Sequence, residues 1–548
     1  MSMTFLKHEV IRIWLGYAGI ATVILLPMLL PGYILTLDLV FTPHFALPTE
    51  VTNSYPLQIS LWLLHFILPG DVIEKIILFS ILLLSGVGIH LLVRSIRTRT
   101  MSVDYWNVAS WFAGILYTVN PFTYARFMAG QWMVLLGYAL LPFFIRFLFQ
   151  LMWQPGKKQA VKVIIAALAI SAVSIHHIGM LVFTAAIISA AAIGIYRGSE
   201  RVRRVTYLAI VAIGYLAGSL YWLIGVFLGT SSVSKAVALF GQSQFHAFET
   251  LGGNTIGQIA EVVRLQGFWA EARHLFALPQ SIIPLWGVVF LLLWVVVFIG
   301  MKLAWRRHTT IILFSIACIL GGIILAATPL VFWLSTTVPF VAGYREPHKF
   351  VNLIIIGYGL LGALGVAYGL NALHRRSWFK TARGFAGLVL LLPVVITPVM
   401  FWGFAGQLQP RQYPSQWSAA NDYLITHAPN ERVLFLPWHQ YARYSFSGRL
   451  IANPAEKFFA VPAVISDDPE FNGALPTVPD ALHSTLSKAL QQKIPIIPTL
   501  RAHNIHYILI AKEQAYRDYD YLLQSKDIRN VYENDKLTIY KIGGAQHV

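Results

Sequence analysis

The chain has 548 residues, of which 57% are apolar and only 12% charged, and its mean hydropathy is +0.63. That balance excludes a soluble protein of this size and predicts an integral membrane protein. A formal charge of +17 would suit nucleic acid, but residues 1–404 hold 27 of the 41 Lys and Arg and only 11 of the 24 Asp and Glu, so the excess follows the membrane segments and nucleic acid is set aside as a partner.

Apolar runs long enough to cross a hydrocarbon core fall near 11–31, 72–93, 105–120, 132–152, 159–175, 178–196, 205–228, 282–301, 309–334, 350–373 and 384–404. The first ends in Leu30-Pro31-Gly32-Tyr33 with no small-residue cleavage site, so it reads as an uncleaved span. Basic residues gather in alternate loops: Arg94, Arg97 and Arg99; Lys157 and Lys158; Arg197, Arg201, Arg203 and Arg204; Lys302, Arg306 and Arg307; Arg375, Arg376, Lys380 and Arg383. The positive-inside rule puts those loops, and the N-terminus, in the cytoplasm. The expected fold class is a polytopic α-helical membrane protein of about eleven spans, N-terminus inside and C-terminus outside, with a C-terminal extracytoplasmic α/β domain. Residues 1–404 form the transmembrane domain in this reading and 405–548 the outer domain. The one cysteine, Cys318, lies inside a span, which leaves no disulfide within the chain and no thiolate metal site. The inner loops are short and carry no phosphate-binding glycine motif, which argues against ATP-driven transport by this chain alone.

On this topology the outer surface consists of 32–71, 120–131, the turn 176–177, the long loop 229–281, the loop 335–349 and the region 405–548. The first of these has the helical spacing of an interfacial helix over Tyr55 to Leu68, and 229–281 is expected to hold short interfacial helices of its own. Glycines at 357, 359, 362, 365 and 369 predict a closely packed helix. In the outer domain, strands are expected at Arg432 to Leu436, His506 to Ile510 and Leu537 to Ile542, and helices at 415–427, 480–492 and 513–524. Ser466-Asp467-Asp468-Pro469-Glu470 lacks the ligand spacing of a calcium loop and reads as a solvated turn.

Charged and imidazole groups at a membrane edge are costly to hold there, so each is a candidate site residue. Asp38 lies in Leu35-Thr36-Leu37-Asp38-Leu39-Val40-Phe41-Thr42-Pro43-His44, a loop with no Lys or Arg from Pro31 to Glu74. Its apolar flanks predict a partly desolvated carboxylate, basic enough to take a proton from a sugar hydroxyl; a turn carboxylate capping the first span has the same look. Gly343-Tyr344-Arg345-Glu346-Pro347-His348-Lys349-Phe350 supplies a guanidinium fork in Arg345, with His348 and Lys349 at the same depth, suited to a lipid phosphate or to an ion pair with Glu346. Ser174-Ile175-His176-His177 sits at an outer turn, where one histidine is able to donate to a phosphate while the other packs. Asn120 to Trp132 combines Arg126 and Gln131 with aromatics including Trp132, groups that stack on and hydrogen-bond a sugar, though an interfacial aromatic belt is built the same way. His44 joins Arg126, Gln131 and Trp132 as a candidate substrate contact.

Together these features resemble the GT-C superfamily of polyprenyl-phosphate-dependent membrane glycosyltransferases. The resemblance rests on Asp38 in the first outer loop, the interfacial helix after it, the Arg345-Glu346-Pro347-His348-Lys349-Phe350 run of the Arg-x-Pro-x-[Lys/Arg]-Phe kind, and the outer C-terminal domain. Arg432 to Pro437 and Ile505 to Ile510 are similar to YfhO-like and arabinofuranosyltransferase-like members. The resemblance implies an inverting transfer, outside the cytoplasmic membrane, from a polyprenyl-phosphate sugar donor to a glycan, lipid or protein acceptor. It implies Asp38 as general base and Arg345 as the lipid-phosphate ligand, assisted by Lys349, His176 or His177. Many relatives pair two acidic residues in the first loop, whereas here the next acid is Glu50, so the expectation is a mechanism without a metal or other cofactor. Rival readings are a lipid-linked-glycan flippase, which calls for charges at mid-membrane depth, a glycan ligase, and a non-catalytic envelope scaffold.

Overall fold

Each expected apolar run lies wholly or in large part on a helix. The computed structural model describes residues 3–98, 100–238, 240–338, 340–468, 481–513 and 515–543. Its first helices are α1 (Met3–Leu25), α2 (Tyr55–His65), α3 (Gly70–Ser95), α4 (Val103–Thr118), α5 (Pro121–Met128), α6 (Trp132–Trp153), α7 (Lys157–Val173), α8 (His177–Ile195) and α9 (Gly198–Phe227). The long loop then folds into the short helices α10 (Ser232–Ala238), α11 (Gln242–Ala247), α12 (Thr255–Val263) and α13 (Pro279–Ile282). After it come α14 (Trp286–Ala327), α15 (Leu330–Ser335), α16 (Val351–Arg375) and α17 (Phe379–Ile396). Among the described residues, eight helical segments are both long and apolar enough to cross a membrane.

One of these, α14, has 42 residues. At about 1.5 Å per residue it is roughly twice as long as a hydrocarbon core is thick. Its backbone leaves helical geometry at His308 (φ −128°), between the two apolar runs expected at 282–301 and 309–334. The run at 384–404 is shorter as a helix than its hydropathy suggests. Pro398 has no N–H to continue the ladder, and α17 gives way to a 3₁₀ turn and then to left-handed residues at Trp402, Gly403 and Phe404.

The core of the bundle is α16, whose spanning stretch is entirely buried. It crosses α14 at backbone contact: a Cβ on Gly300 would lie 2.0 Å from the Leu361 carbonyl oxygen, and one on Gly365 2.0 Å from that of Val296. Lipid and helix surface are equally apolar, so close packing through small residues, rather than hydrophobic burial, holds two such helices together. This is the role the glycine run predicts.

In the C-terminal region the strands β3 (Arg432–Leu436), β6 (Ala463–Val464), β7 (Ile505–Ala511), β8 (Ile528–Glu533) and β9 (Leu537–Ile542) form one sheet in the order β6-β3-β7-β9-β8. β3 runs parallel to β6 and β7, and β9 antiparallel to β7 and β8. β7 reads Ile-His-Tyr-Ile-Leu-Ile-Ala and is buried almost throughout, as a central strand covered on both faces must be. The helix Ser415–His427 forms as expected, but the 513–524 pattern makes a 3₁₀ segment, Tyr516–Gln524. Pro469 and Glu470 of the expected solvated turn lie outside the described residues.

The first loop is bound to this region. β1 (Tyr33–Ile34) pairs with β2 (Pro410–Arg411), and on the short strand β5 (Leu450–Ala452) the backbones of Leu450 and Ala452 exchange hydrogen bonds of 3.0 and 2.8 Å with Leu37. These bonds fix the position of the next residue, Asp38.

Candidate active site

The Asp38 loop is held from two sides. The Asp38 N–H donates to the Ala129 carbonyl (3.2 Å), and the Thr36 hydroxyl donates to that of Met128 (2.7 Å), so the loop rests on the C-terminal end of α5. Gly130 makes this contact possible: its φ is +70°, and a Cβ there would lie 2.2 Å from the Leu39 nitrogen. Leu37 takes the left-handed region at φ 36°, a conformation that a branched aliphatic residue adopts only when its surroundings impose it.

Asp38 opens onto a cavity of about 550 Å³. Its polar end carries Asp38, Gln131, His176, Arg345, Lys349 and Tyr441, while Trp222, Val226 and Phe227 of α9 and Val237 and Phe240 beyond it form apolar walls. Asp38 and Arg345 thus line one cavity. Tyr441, on the strand β4 (Tyr441–Arg443), donates its hydroxyl to Asp38 Oδ1 at 2.7 Å. Burial pushes the Asp38 carboxyl above its ordinary range. The Tyr441 hydrogen bond and the Lys349 and Lys457 ammonium groups oppose that shift, and the Glu346 carboxylate adds to it.

Arg345 enters the cavity from a 3₁₀ turn, Val341–Tyr344. Its guanidinium lies 3.9 Å from the centre of the Phe240 ring, and Nη1 is buried with no hydrogen-bond partner among the described residues. The expected alternative, an ion pair with Glu346, does not form. Glu346 instead takes Arg126 on Oε1 and Lys349 on Oε2, the latter at 2.9 Å. Burial alone would raise the Glu346 carboxyl; the two cations outweigh it and hold the group far below the usual carboxylate range. Arg345 is therefore left with unspent donors at the cavity wall, while Lys349 reaches the cavity with its charge partly matched. His176, at the start of α8, lies edge-on to Tyr344, and burial followed by the Lys349 charge lowers its pKa well below the ordinary imidazole value. It is a neutral donor or acceptor here, not a cation.

Several expected contacts lie elsewhere. Arg126 is fully buried, hydrogen-bonded to Gln131 and stacked 4.0 Å from the Phe268 ring centre, so it positions Glu346 and does not meet the cavity. His348 lies behind it: its Nε2 donates to the Gln266 carbonyl (2.9 Å), which leaves Nδ1 to accept from Arg126 (2.8 Å). His177 is locked between Ser174 (2.9 Å) and Asn352 (3.1 Å) in the bundle core. Trp132 packs on Phe41, and His44 is exposed beside Asn421. Of the substrate contacts read from the sequence, Gln131 alone lines the cavity. The adjacent-histidine and arginine–aromatic patterns describe a packed, ion-paired wall behind the site as readily as the site itself.

Tyr441, Gln440 and Trp269 were not legible as site residues. One signal was available for the first two. They follow Pro437 at the C-terminal end of β3, a parallel strand, where open α/β sheets commonly present ligand contacts.

Among the described residues no group of three or more His, Cys, Asp or Glu side chains is placed to hold a metal ion. Of the two carboxylates at this corner, Asp38 accepts from Tyr441 and Glu346 is paired with Arg126 and Lys349.

Glu271, in the 3₁₀ turn Trp269–Arg273 beside the cavity residue Trp269, has a pKa raised by burial from its ordinary 4.5 to about 7. A carboxyl whose pKa is raised on folding contributes stability below its unfolded value and loses it as pH rises through the folded one. Glu271→Gln is therefore expected to match wild type near pH 4.5 and to exceed it above pH 7 by up to about 3 kcal/mol, read as a thermal-shift difference that grows between those limits.

No protein-family model matches the sequence, and no curated protein matches it. Solved structures do match its fold. The cryo-EM structure of arabinofuranosyltransferase AftD from Mycobacteria superposes with a TM-score of 0.64 at 15% identity, over 98% of this chain and 40% of that one. Two classes of an arginine-to-serine mutant of that protein match over 98% of this chain and 42% of theirs, with TM-scores of 0.64 and 0.59. The chain thus spans about two-fifths of the length of the structures it matches. It is a polytopic membrane protein whose fold is similar to that of this arabinofuranosyltransferase.

Proposed function

We propose that the protein is a GT-C-type glycosyltransferase of the arabinofuranosyltransferase-like or YfhO-like kind. It moves a sugar from a polyprenyl-phosphate donor to a cell-envelope glycan, lipid or protein acceptor at the outer face of the cytoplasmic membrane. The bundle then crosses that membrane about eleven times, with the N-terminus inside and residues 405–548 outside. One observation carries the reading: a carboxylate and a guanidinium without an ion pair among the described residues line the same cavity, whose other walls are apolar.

In this mechanism the prenyl chain lies along Trp222, Val226 and Phe227, and its phosphate meets Arg345, Lys349 and His176. Asp38 accepts the proton of the acceptor hydroxyl as that oxygen attacks the anomeric carbon, and the bond from that carbon to the phosphate oxygen breaks with inversion. The negative charge that develops on the leaving phosphate is stabilised by Arg345 and Lys349, groups already in place before reaction. Glycosyl transfer is favoured over flipping because Arg345 and Lys349 precede α16 and His176 precedes α8, at helix ends and not midway along a span.

The test is transfer of radiolabel from a panel of polyprenyl-phosphate sugars by purified, reconstituted protein; no transfer from any donor would sink the proposal. A pH series sharpens it. Activity should rise with pH through an inflection above the ordinary Asp range, because only ionised Asp38 accepts the proton. Tyr441→Phe removes a hydrogen bond that favours the ionised form, so the inflection should move to higher pH. An unmoved inflection would show that Asp38 is not the titrating base.

A further inference from the structure

A second and larger cavity, of about 940 Å³, opens at the far end of the bundle, where α3, α6 and α8 terminate and α14 breaks. On α8, Ile178 lines the first cavity and Ile187 to Ile195 line this one, so the two sites lie at opposite ends of the helix. The wall of this cavity is apolar, built from Phe149, Trp153, Ile187, Ile188, Ile195 and Phe314, and its rim carries Arg97, Thr98, Arg307 and Thr310. Arg97 is exposed and makes no ion pair among the described residues; Arg307 is exposed and donates to the Thr100 hydroxyl at 2.8 Å.

At the base is His308, 6% exposed, held edge-on between Trp106 and Tyr368, with Nε2 lacking a hydrogen-bond partner among the described residues. A buried imidazole nitrogen without a partner is costly unless a ligand supplies one. The break in α14 falls on this residue, so the segment from Thr309 onward begins a helix at the cavity with its N-terminal, partly positive end turned to the same place.

We infer that this cavity binds one anionic phospholipid, its phosphate held between Arg97 and Arg307 at the rim and His308 beneath them, and one acyl chain lying along Ile187, Ile188 and Ile195. Two guanidinium groups, a free imidazole nitrogen and a helix start converge on a space whose remaining wall is hydrocarbon. A free phosphate would satisfy the first part and leave the wall exposed; an uncharged lipid would do the reverse. The site is separate from the proposed donor cavity, so its occupancy does not depend on the reading of that cavity.

The experiment is native mass spectrometry of the full chain released from detergent with equal amounts of phosphatidylglycerol and phosphatidylcholine. The expected result is one retained phosphatidylglycerol per chain in preference to phosphatidylcholine. Arg97→Ala/Arg307→Ala should lower that occupancy at least tenfold. Gly194→Phe provides the second variant, since a Cβ at Gly194 meets nothing within 4 Å and the added ring fills the groove without disturbing the bundle; it too should lose the lipid. Equal retention of both lipids, or unchanged retention in both variants, would overturn the inference. So would protection against heat by inorganic phosphate equal to that by phosphatidylglycerol, which would make this a site for the free anion.

Discussion

Asp38→Asn should abolish sugar transfer, lowering kcat by about 10²–10⁴-fold, the range a positioned general base contributes, with little change in thermal stability. The amide keeps the shape and still accepts the Tyr441 hydroxyl, and the loop is anchored by backbone bonds at Leu37, Asp38 and Ala452 that do not involve the side chain. Stability should even rise slightly, because the variant no longer holds a carboxylate whose ionisation burial opposes. Loss of function without loss of fold separates an enzyme from the scaffold reading, which tolerates this change. It also separates a base-dependent transferase from a ligase that needs no carboxylate in the first loop.

Arg126→Ala and Arg345→Ala should fail in opposite ways, although both remove an arginine from neighbouring positions in the fold. Arg126 is buried and bound to Glu346, so its loss strands a buried carboxylate with Lys349 as its one remaining cation. Breaking a buried ion pair from one side costs about 3–5 kcal/mol. The Arg126 variant should therefore melt well below wild type, and any loss of activity should follow the loss of folded protein. Among the described residues Arg345 has no ion pair to lose, and its ring contact with Phe240 accounts for no more than about 2 kcal/mol. Its variant should stay folded and lose about ten- to a hundredfold in kcat/KM, the equivalent of about 1.5–3 kcal/mol for one charged hydrogen bond to phosphate. Parallel thermal-shift and transfer assays on the two variants check both halves. A stable, fully active Arg345→Ala would remove the guanidinium from the mechanism.

The parts of the fold legible in the sequence were those governed by local pattern. Hydropathy located the helices, glycine spacing marked the α14–α16 contact, and the strand-like runs at Arg432 to Leu436 and Leu537 to Ile542 coincide with β3 and β9. Long-range pairing was not legible. Nothing local at Glu346 indicates that it chooses Arg126, 220 positions away, over its neighbour Arg345. That choice decides which arginine is structural and which is free to bind. Likewise Tyr441 reaches Asp38 across 403 positions, through a first loop joined by strand pairing to the C-terminal region. The charged residues of the site could be read as a set, but their division into wall and cavity depends on packing that no window of sequence contains.

The measurement that tests the account most directly is a cryo-EM structure with a polyprenyl-phosphate sugar bound to the Asp38→Asn variant. The account predicts the phosphate against Arg345 and Lys349, the prenyl chain along Trp222 and Phe227, and the sugar beside position 38. A phosphate bound away from Arg345, or a sugar out of reach of position 38, would contradict it.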